Sequence, residues 1–154
     1  MNSGCRDLEI NLYYIKTDFK DLVFKLCNQL YLKKLKTLIK LANNLELDCL
    51  DKFLWIHKKN VFLPHLTVRD TSFGNNPILL TSNENVSIDI EKFDIIIYSP
   101  DVYIKKFENI KKKIFLFSYF TNDGNCEKNK ISLSSLKYKV KTFIETNDYK
   151  WKQI

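Results

Sequence analysis

Two segments of the chain are apolar almost without interruption over the length of a strand. They are residues 93–98 (FDIIIY) and 113–120 (KIFLFSYF). A strand with one solvated face alternates apolar and polar residues, whereas a continuous apolar run is typical of a parallel strand that is buried on both faces. Neither run approaches the roughly 18 apolar residues of a membrane span. The chain is therefore predicted to fold around a buried, mostly parallel sheet.

Strand and helix patterns alternate along the rest of the sequence. Further strands are predicted, from apolar, β-branched and aromatic residues, at residues 9–15, 36–42 and 77–82. Apolar residues at three- and four-residue spacing predict a helix after the first strand and another over residues 132–146. Two more helices are predicted, one after the second strand and a short one over residues 102–112. This alternation predicts an α/β fold with three layers, α/β/α, and a mostly parallel, five-stranded, Rossmann-like sheet. The whole chain, residues 1–154, is predicted to be a single domain.

Capping residues place the starts of the first two helices. Thr17 or Asp18 can cap the first helix, because a side-chain oxygen there accepts a hydrogen bond from an unpaired backbone N–H group. Asn43 or Asn44 can begin the second helix, which is predicted to run to about His57.

The turn after the first strand argues against nucleotide chemistry. A phosphate bound there requires glycines, because the backbone must approach it closely. Residues 14–19 (YIKTDF) contain none, and the three glycines of the chain form neither a GxGxxG nor a GxxxxGK[ST] motif. There is no GxSxG motif, and the four cysteines and two histidines lack metal-site spacing. We therefore predict no catalytic site, no metal and no cofactor.

Charge is divided unevenly along the chain. Residues 1–104 hold 13 basic and 13 acidic side chains, whereas residues 105–154 hold 12 lysines and 5 acidic side chains. The net charge of +7 therefore comes from the C-terminal third. This asymmetry favours an acidic partner for that third. A solvated lysine surface without a partner explains the charge alone equally well.

The cysteines and the first residues bear on the cellular compartment. Residues 1–10 contain no hydrophobic core of a signal peptide. Cys27 and Cys49 fall within helical patterns, where a free thiol usually packs as a small hydrophobe. A cytoplasmic location without membrane attachment is the prediction.

A segment near the middle of the chain carries a family resemblance. Residues 50–55 (LDKFLW) and 62–65 (FLPH), followed by residues 77–81 (PILLT), resemble the DNA polymerase III chi subunit family. The resemblance implies a non-catalytic accessory subunit of the DNA replication machinery. Such a subunit links the clamp loader, in some lineages through a psi subunit, to the acidic, phenylalanine-ended C-terminal tail of single-stranded DNA-binding protein. DNA would be contacted mostly indirectly.

Two groups of residues are the candidates for binding this tail. The first is an apolar wall at the end of the second helix and in a proline-fixed loop, made by Trp55, Phe62, Pro64 and His65. The second is basic and aromatic, on the predicted C-terminal helix and beyond it: Lys137, Tyr138, Lys139, Lys141, Trp151 and Lys152. On that helix Lys137 and Lys141 would share a face. Some family members have an arginine at the position of Ser135, and a neighbouring lysine lacks the bidentate fork of arginine.

Other interpretations of these residues stay open. Trp55 and Phe62 can simply cover the core, and His65 fits a hydrogen-bonded structural histidine. The basic third, with its aromatic residues, can bind single-stranded nucleic acid directly by pairing with phosphates and stacking on bases. A nucleotide-binding enzyme with an unrecognised site is a further alternative.

Overall fold

The computed structural model describes residues 9–56, 65–67, 77–82, 93–100, 102, 113–119, 140–146 and 150–153. In chain order the elements are strand β1 (Glu9–Ile15), helix α1 (Phe19–Leu32), strand β2 (Thr37–Leu41), helix α2 (Asn44–Ile56), and strands β3 (Leu66–Thr67), β4 (Ile78–Ser82), β5 (Ile95–Tyr98), β6 (Lys113–Tyr119), β7 (Val140–Glu145) and β8 (Trp151–Gln153).

The strands form one sheet in the order β3-β4-β2-β5-β6-β1-β7-β8. Every neighbouring pair among the described strands is parallel except β7 and β8, which are antiparallel. The mostly parallel α/β fold is therefore confirmed. The predicted number of five strands is wrong, because the described sheet has eight. The additional strands are β3, which has two residues, and the hairpin of β7 and β8.

The largest correction concerns the predicted helix over residues 132–146. Residues 140–145 (VKTFIE) are instead strand β7, in parallel register with β1. Val140 and Ile144 are four residues apart, a spacing that fits one face of a helix and equally one face of a strand. The β-branched residues of the segment favour the strand once β1 offers an edge to pair with. The predicted helix over residues 102–112 lies outside the described residues, apart from Val102.

Both described helices begin as their capping residues predict. The side chain of Asp18 caps α1 by accepting a hydrogen bond from Lys20 N at 3.3 Å. At α2, Asn43 Oδ1 accepts from Glu46 N at 2.9 Å, and a Glu46 oxygen accepts from Ala42 N at 3.3 Å. The arrangement differs from a capping box only in that Glu46 accepts from Ala42, the residue before the Asn43 cap. Within the described residues, neither helix combines the length and the apolar content that a membrane crossing needs.

The C-terminal end of α1 has an unusual backbone conformation. Lys34 has a φ of 60°, in the left-handed region that favours glycine. Its N–H donates to Tyr31 O at 2.9 Å, and Leu35 N donates to Leu30 O at 3.0 Å. These two bonds form a Schellman motif, which satisfies carbonyls that the helix leaves unpaired.

Both faces of the sheet are buried, as the continuous apolar strands predict. The face under both helices carries Ile39, Ile78 and Ile97, all fully buried. On the opposite face Ile10, Leu12, Ile96 and Ile114 are fully buried as well. Among the described residues all helical cover lies on the first face, so the predicted three layers are reduced to two in this part of the chain. The first face is called the helical face below.

Candidate functional site

Aromatic rings form a ladder across three adjacent strands on the helical face. In the parallel register Tyr13 of β1 lies between Phe117 of β6 and Phe143 of β7. Its ring centroid is 5.2 Å from that of Phe117 and 5.1 Å from that of Phe143, with interplanar angles of 21° and 17°. The Trp151 ring on β8 meets Tyr13 edge-on, with centroids 5.0 Å apart. In-register pairing explains the ladder, because directly paired residues point to the same face.

A cavity of about 390 Å³ opens between this ladder and α1. We call it the aromatic pocket, and it is lined by Tyr13, Leu22, Lys25, Leu26, Gln29, Phe117 and Trp151. Its walls are aromatic rings from the sheet and leucines from the helix. Lys25 and Gln29, one turn apart on α1, supply its polar groups. Trp151 is the one predicted site residue among them. The others were missed because they lie on separate elements that only the fold brings together.

The β7–β8 hairpin places its predicted lysines on opposite faces. Strand residues alternate between faces, so Lys141 shares the helical face with Phe143, the ladder residue. Lys152 pairs with Ile144, whose side chain packs on the opposite face. Both lysines are exposed. The prediction that Lys137 and Lys141 share one face of a helix is wrong, because Lys141 lies on strand β7.

Trp55 and His65 do come together, at the end of α2. The Trp55 side chain is 46 % exposed, and its ring centroid lies 4.3 Å from that of the buried His65. His65 Nε2 is 3.1 Å from Asp51 Oδ1 and 3.3 Å from Asp51 O. The hydrogen-bonded, structural interpretation of His65 is thereby supported. Beside Trp55, the Ile56 side chain is 75 % exposed. We call these four residues the Trp55 corner.

The Trp55 corner and the aromatic pocket lie on different parts of the molecule. Helix α2 packs over β2, β3 and β4, at one end of the strand order, whereas Trp151 lies on β8 at the other end. Strands are spaced about 4.8 Å apart, and the pocket lies over β6 and β1, so the two sites are separated by roughly 20 Å across the sheet. Trp55 and Trp151 therefore do not line one pocket. The other predicted site residues, Phe62, Pro64, Lys137, Tyr138 and Lys139, lie outside the described residues, as does Ser135.

The turn between β1 and α1 contains a carboxylate from the far end of the chain. Glu145, the last residue of β7, is buried. Its Oε1 accepts hydrogen bonds from Lys16 N at 2.7 Å and Thr17 N at 2.9 Å, and its Oε2 accepts one from the Thr17 hydroxyl. In nucleotide-binding folds, the backbone N–H groups of this turn bind phosphate. Here these two N–H groups are bonded to Glu145. Among the residues that the structure describes, no three or more metal-ligating side chains lie together.

Comparison with protein families finds a match over most of the chain. The family model of the DNA polymerase III chi subunit, HolC, matches residues 9–125. The chain belongs to the DNA polymerase III chi subunit family. A search of curated proteins found no match. The chi-family match spans β1 to β6 and includes the Trp55 corner, whereas the β7–β8 hairpin lies beyond its end.

Membership of the chi family makes the chain an accessory subunit of DNA polymerase III. The sequence resemblance drawn from residues 50–65 and 77–81 is thereby confirmed. Those residues lie within the matched range, and they include the Trp55 corner.

Proposed function

We propose that this chi-family subunit is a non-catalytic adaptor that acts in the cytoplasm. It links the clamp loader, directly or through a psi subunit, to the acidic C-terminal tail of single-stranded DNA-binding protein. Family membership supports a place in the replicative polymerase. Binding of the acidic tail is supported by one observation, the aromatic pocket beside a basic hairpin.

The aromatic pocket suits the side chain of a terminal phenylalanine. Its volume of about 390 Å³ lies toward the small end of ordinary ligand pockets, which hold about 300–1,000 Å³. A phenyl ring entering it would meet the rings of Phe117 and Trp151 and the side chains of Leu22 and Leu26. Edge-to-face and offset contacts of this kind add to the free energy of apolar burial. Lys25 is placed to pair with the terminal carboxylate, which a bound terminal residue carries next to its ring.

The charge around the pocket suits the acidic part of the tail. Lys25 lies on the α1 side and the exposed Lys141 on the helical face of the hairpin, whereas the exposed Lys152 lies on the opposite face. Lys137 and Lys139 precede this hairpin in sequence. Exposed lysines act through screened charge, with a Debye length of about 8 Å at physiological salt. We therefore expect micromolar, salt-sensitive binding whose strength falls as lysines are removed.

The Trp55 corner is the proposed surface for the clamp-loader side. An adaptor holds two partners at once, and a separation of roughly 20 Å lets both bind without a clash. Trp55 and Ile56 expose apolar area there, while the Asp51–His65 pair fixes the ring beneath Trp55. Tryptophan is among the residues that most often dominate binding free energy at interfaces. Phe62 and Pro64, close in sequence, are proposed parts of the same surface.

Titration with two peptides tests the tail-binding half. The first is a short acidic peptide ending in phenylalanine, and the second lacks only that last residue. We expect binding of the first alone. Replacement of Lys137, Lys139 and Lys141 by alanine should weaken it, and unchanged affinity would refute the electrostatic part. A peptide that binds equally well without its phenylalanine would refute a role for the pocket.

Direct binding of single-stranded DNA is the second candidate, favoured by the exposed lysines around Trp151. It predicts affinity for naked oligonucleotide with a steep salt dependence, because each neutralised phosphate releases counterions. The adaptor predicts weak binding to naked DNA and a large gain once the binding protein coats it. Titration of both forms of DNA at two salt concentrations separates the candidates.

A further inference from the structure

The carboxylate of Glu145 is buried in the protein interior, where charged side chains are rare. Its side chain is only 2 % exposed. A buried carboxylate is tolerated only when its oxygens are well bonded, because the charge loses its hydration. Both oxygens of Glu145 are bonded, to the backbone of Lys16 and to the backbone and hydroxyl of Thr17. These bonds join residues 128 and 129 positions apart in the chain.

The partners of Glu145 form an anion-binding turn. Lys16 N and Thr17 N are consecutive backbone donors that converge on a single oxygen, an arrangement that binds anions in many proteins. The turn also leads into the N-terminus of α1, where the helix dipole favours negative charge. The anion here belongs to the protein itself. The charge of Glu145 is therefore satisfied only while the end of β7 stays at the end of β1.

The position of Glu145 is coupled to that of Trp151. In the antiparallel register of β7 and β8, Trp151 is the direct partner of Glu145. The hairpin is closed beside this pair by Thr146 N, which donates to Lys150 O at 2.9 Å. A shift of Glu145 along β1 would therefore shift Trp151 along Tyr13 and change the mouth of the aromatic pocket.

We propose that Glu145 is a positioning residue for the aromatic pocket. Its carboxylate acts as a built-in anion that fills the β1–α1 turn and so fixes the hairpin that carries Trp151. The consequence for tail binding rests on the proposed function, whereas the fixing of Trp151 does not.

Chemical rescue of Glu145→Ala tests the inference. This variant leaves the anion-binding turn without its carboxylate, and acetate is small enough to bind there. A Trp55→Phe background leaves Trp151 as the only tryptophan of the chain. We expect the variant to shift the Trp151 emission to longer wavelength, lower the midpoint of thermal unfolding and bind the phenylalanine-ended peptide at least tenfold more weakly. Acetate should reverse the first two changes with a saturable dose response, when it replaces chloride at constant ionic strength.

Matched variants separate positioning from general loss of stability. Glu145→Gln keeps one carbonyl oxygen for the two N–H groups. It should therefore shift the Trp151 emission less than Glu145→Ala does. Thr17→Val removes only the hydroxyl donor and should give an intermediate result, which keeps the test available if Glu145→Ala does not fold. Neither of these two variants leaves a space for acetate, so neither should respond to it.

The possible outcomes distinguish the two proposals. Unchanged Trp151 emission in the folded Glu145→Ala variant, or an acetate effect no larger than that of chloride, would overturn the role of Glu145. Failure of the parent protein to bind the peptide would overturn the proposed function. The emission and rescue measurements would still decide the role of Glu145 in that case.

Discussion

Replacing Trp151 by alanine should cost both stability and tail affinity. The Trp151 ring is partly buried and meets Tyr13 edge-on at 5.0 Å. A largely buried tryptophan removes roughly 150 Å² from water, which is worth about 3–4 kcal/mol at about 25 cal/mol per Å², and the edge-on contact adds about 1 kcal/mol. Compactness of the denatured state and the remaining exposure of the ring reduce the sum. We expect a loss of about 2–3 kcal/mol in the free energy of unfolding.

Thermal and urea denaturation measure the stability part. For a chain of this size about 1 kcal/mol shifts the midpoint by about 2–4 °C, so the midpoint should fall by roughly 4–12 °C. Peptide titration well below the new midpoint measures the affinity part. The phenylalanine-ended peptide should bind more than tenfold more weakly, because its terminal phenyl ring loses the contact with Trp151 in the aromatic pocket.

Trp55→Ala is the matched control, since it removes the same side chain at the Trp55 corner. It should leave the affinity for the peptide within twofold of the parent. Because the two rings are roughly 20 Å or more apart, the double variant should lose the sum of the two single losses in stability, to within about 0.5 kcal/mol. A folded Trp151→Ala protein that binds the peptide normally would refute the assignment of the pocket. A coupling free energy between the two substitutions well above about 0.5 kcal/mol would refute the separation of the two sites.

Further predictions concern single residues. Burial raises the pKa of the Cys27 thiol to about 12, so in the folded protein alkylation at neutral pH should modify the exposed Cys49 and leave Cys27 unmodified until urea unfolds the chain. Mass spectrometry of a variant with serine at the other two cysteines checks this. Lys34→Gly should stabilise by about 1 kcal/mol in urea denaturation, because glycine adopts positive φ without strain, and a loss would contradict the Schellman geometry. His65→Ala should destabilise by about 2–4 kcal/mol through the cavity it leaves, and a loss under 1 kcal/mol would show that the site collapses. Lys25→Gln should weaken peptide binding at low salt more than at high salt, and equal weakening would exclude an ionic role.

Much of the N-terminal fold follows from the sequence alone. Residues 9–15 are predicted as a strand and are β1, because five of the seven residues are isoleucine, leucine or tyrosine. Asp18 and Asn43 mark the helix starts, because a cap acts on backbone groups only two or three residues away. The family was likewise evident from the residues around Trp55, and the match over residues 9–125 confirms it.

The C-terminal region was decided by the tertiary structure. Spacing alone does not separate strand from helix for Val140 and Ile144, and only the free edge of β1 makes β7 a strand. The aromatic pocket draws on β1, α1, β6 and β8, so no local pattern joins Tyr13 to Lys25 or to Trp151. The hydrogen bonds of Glu145 to the first turn span 128 residues of sequence. The sequence determines which segments become strands and helices and which family the chain belongs to. The sheet order decides which side chains meet, because residues far apart in the chain become neighbours only when their strands pair.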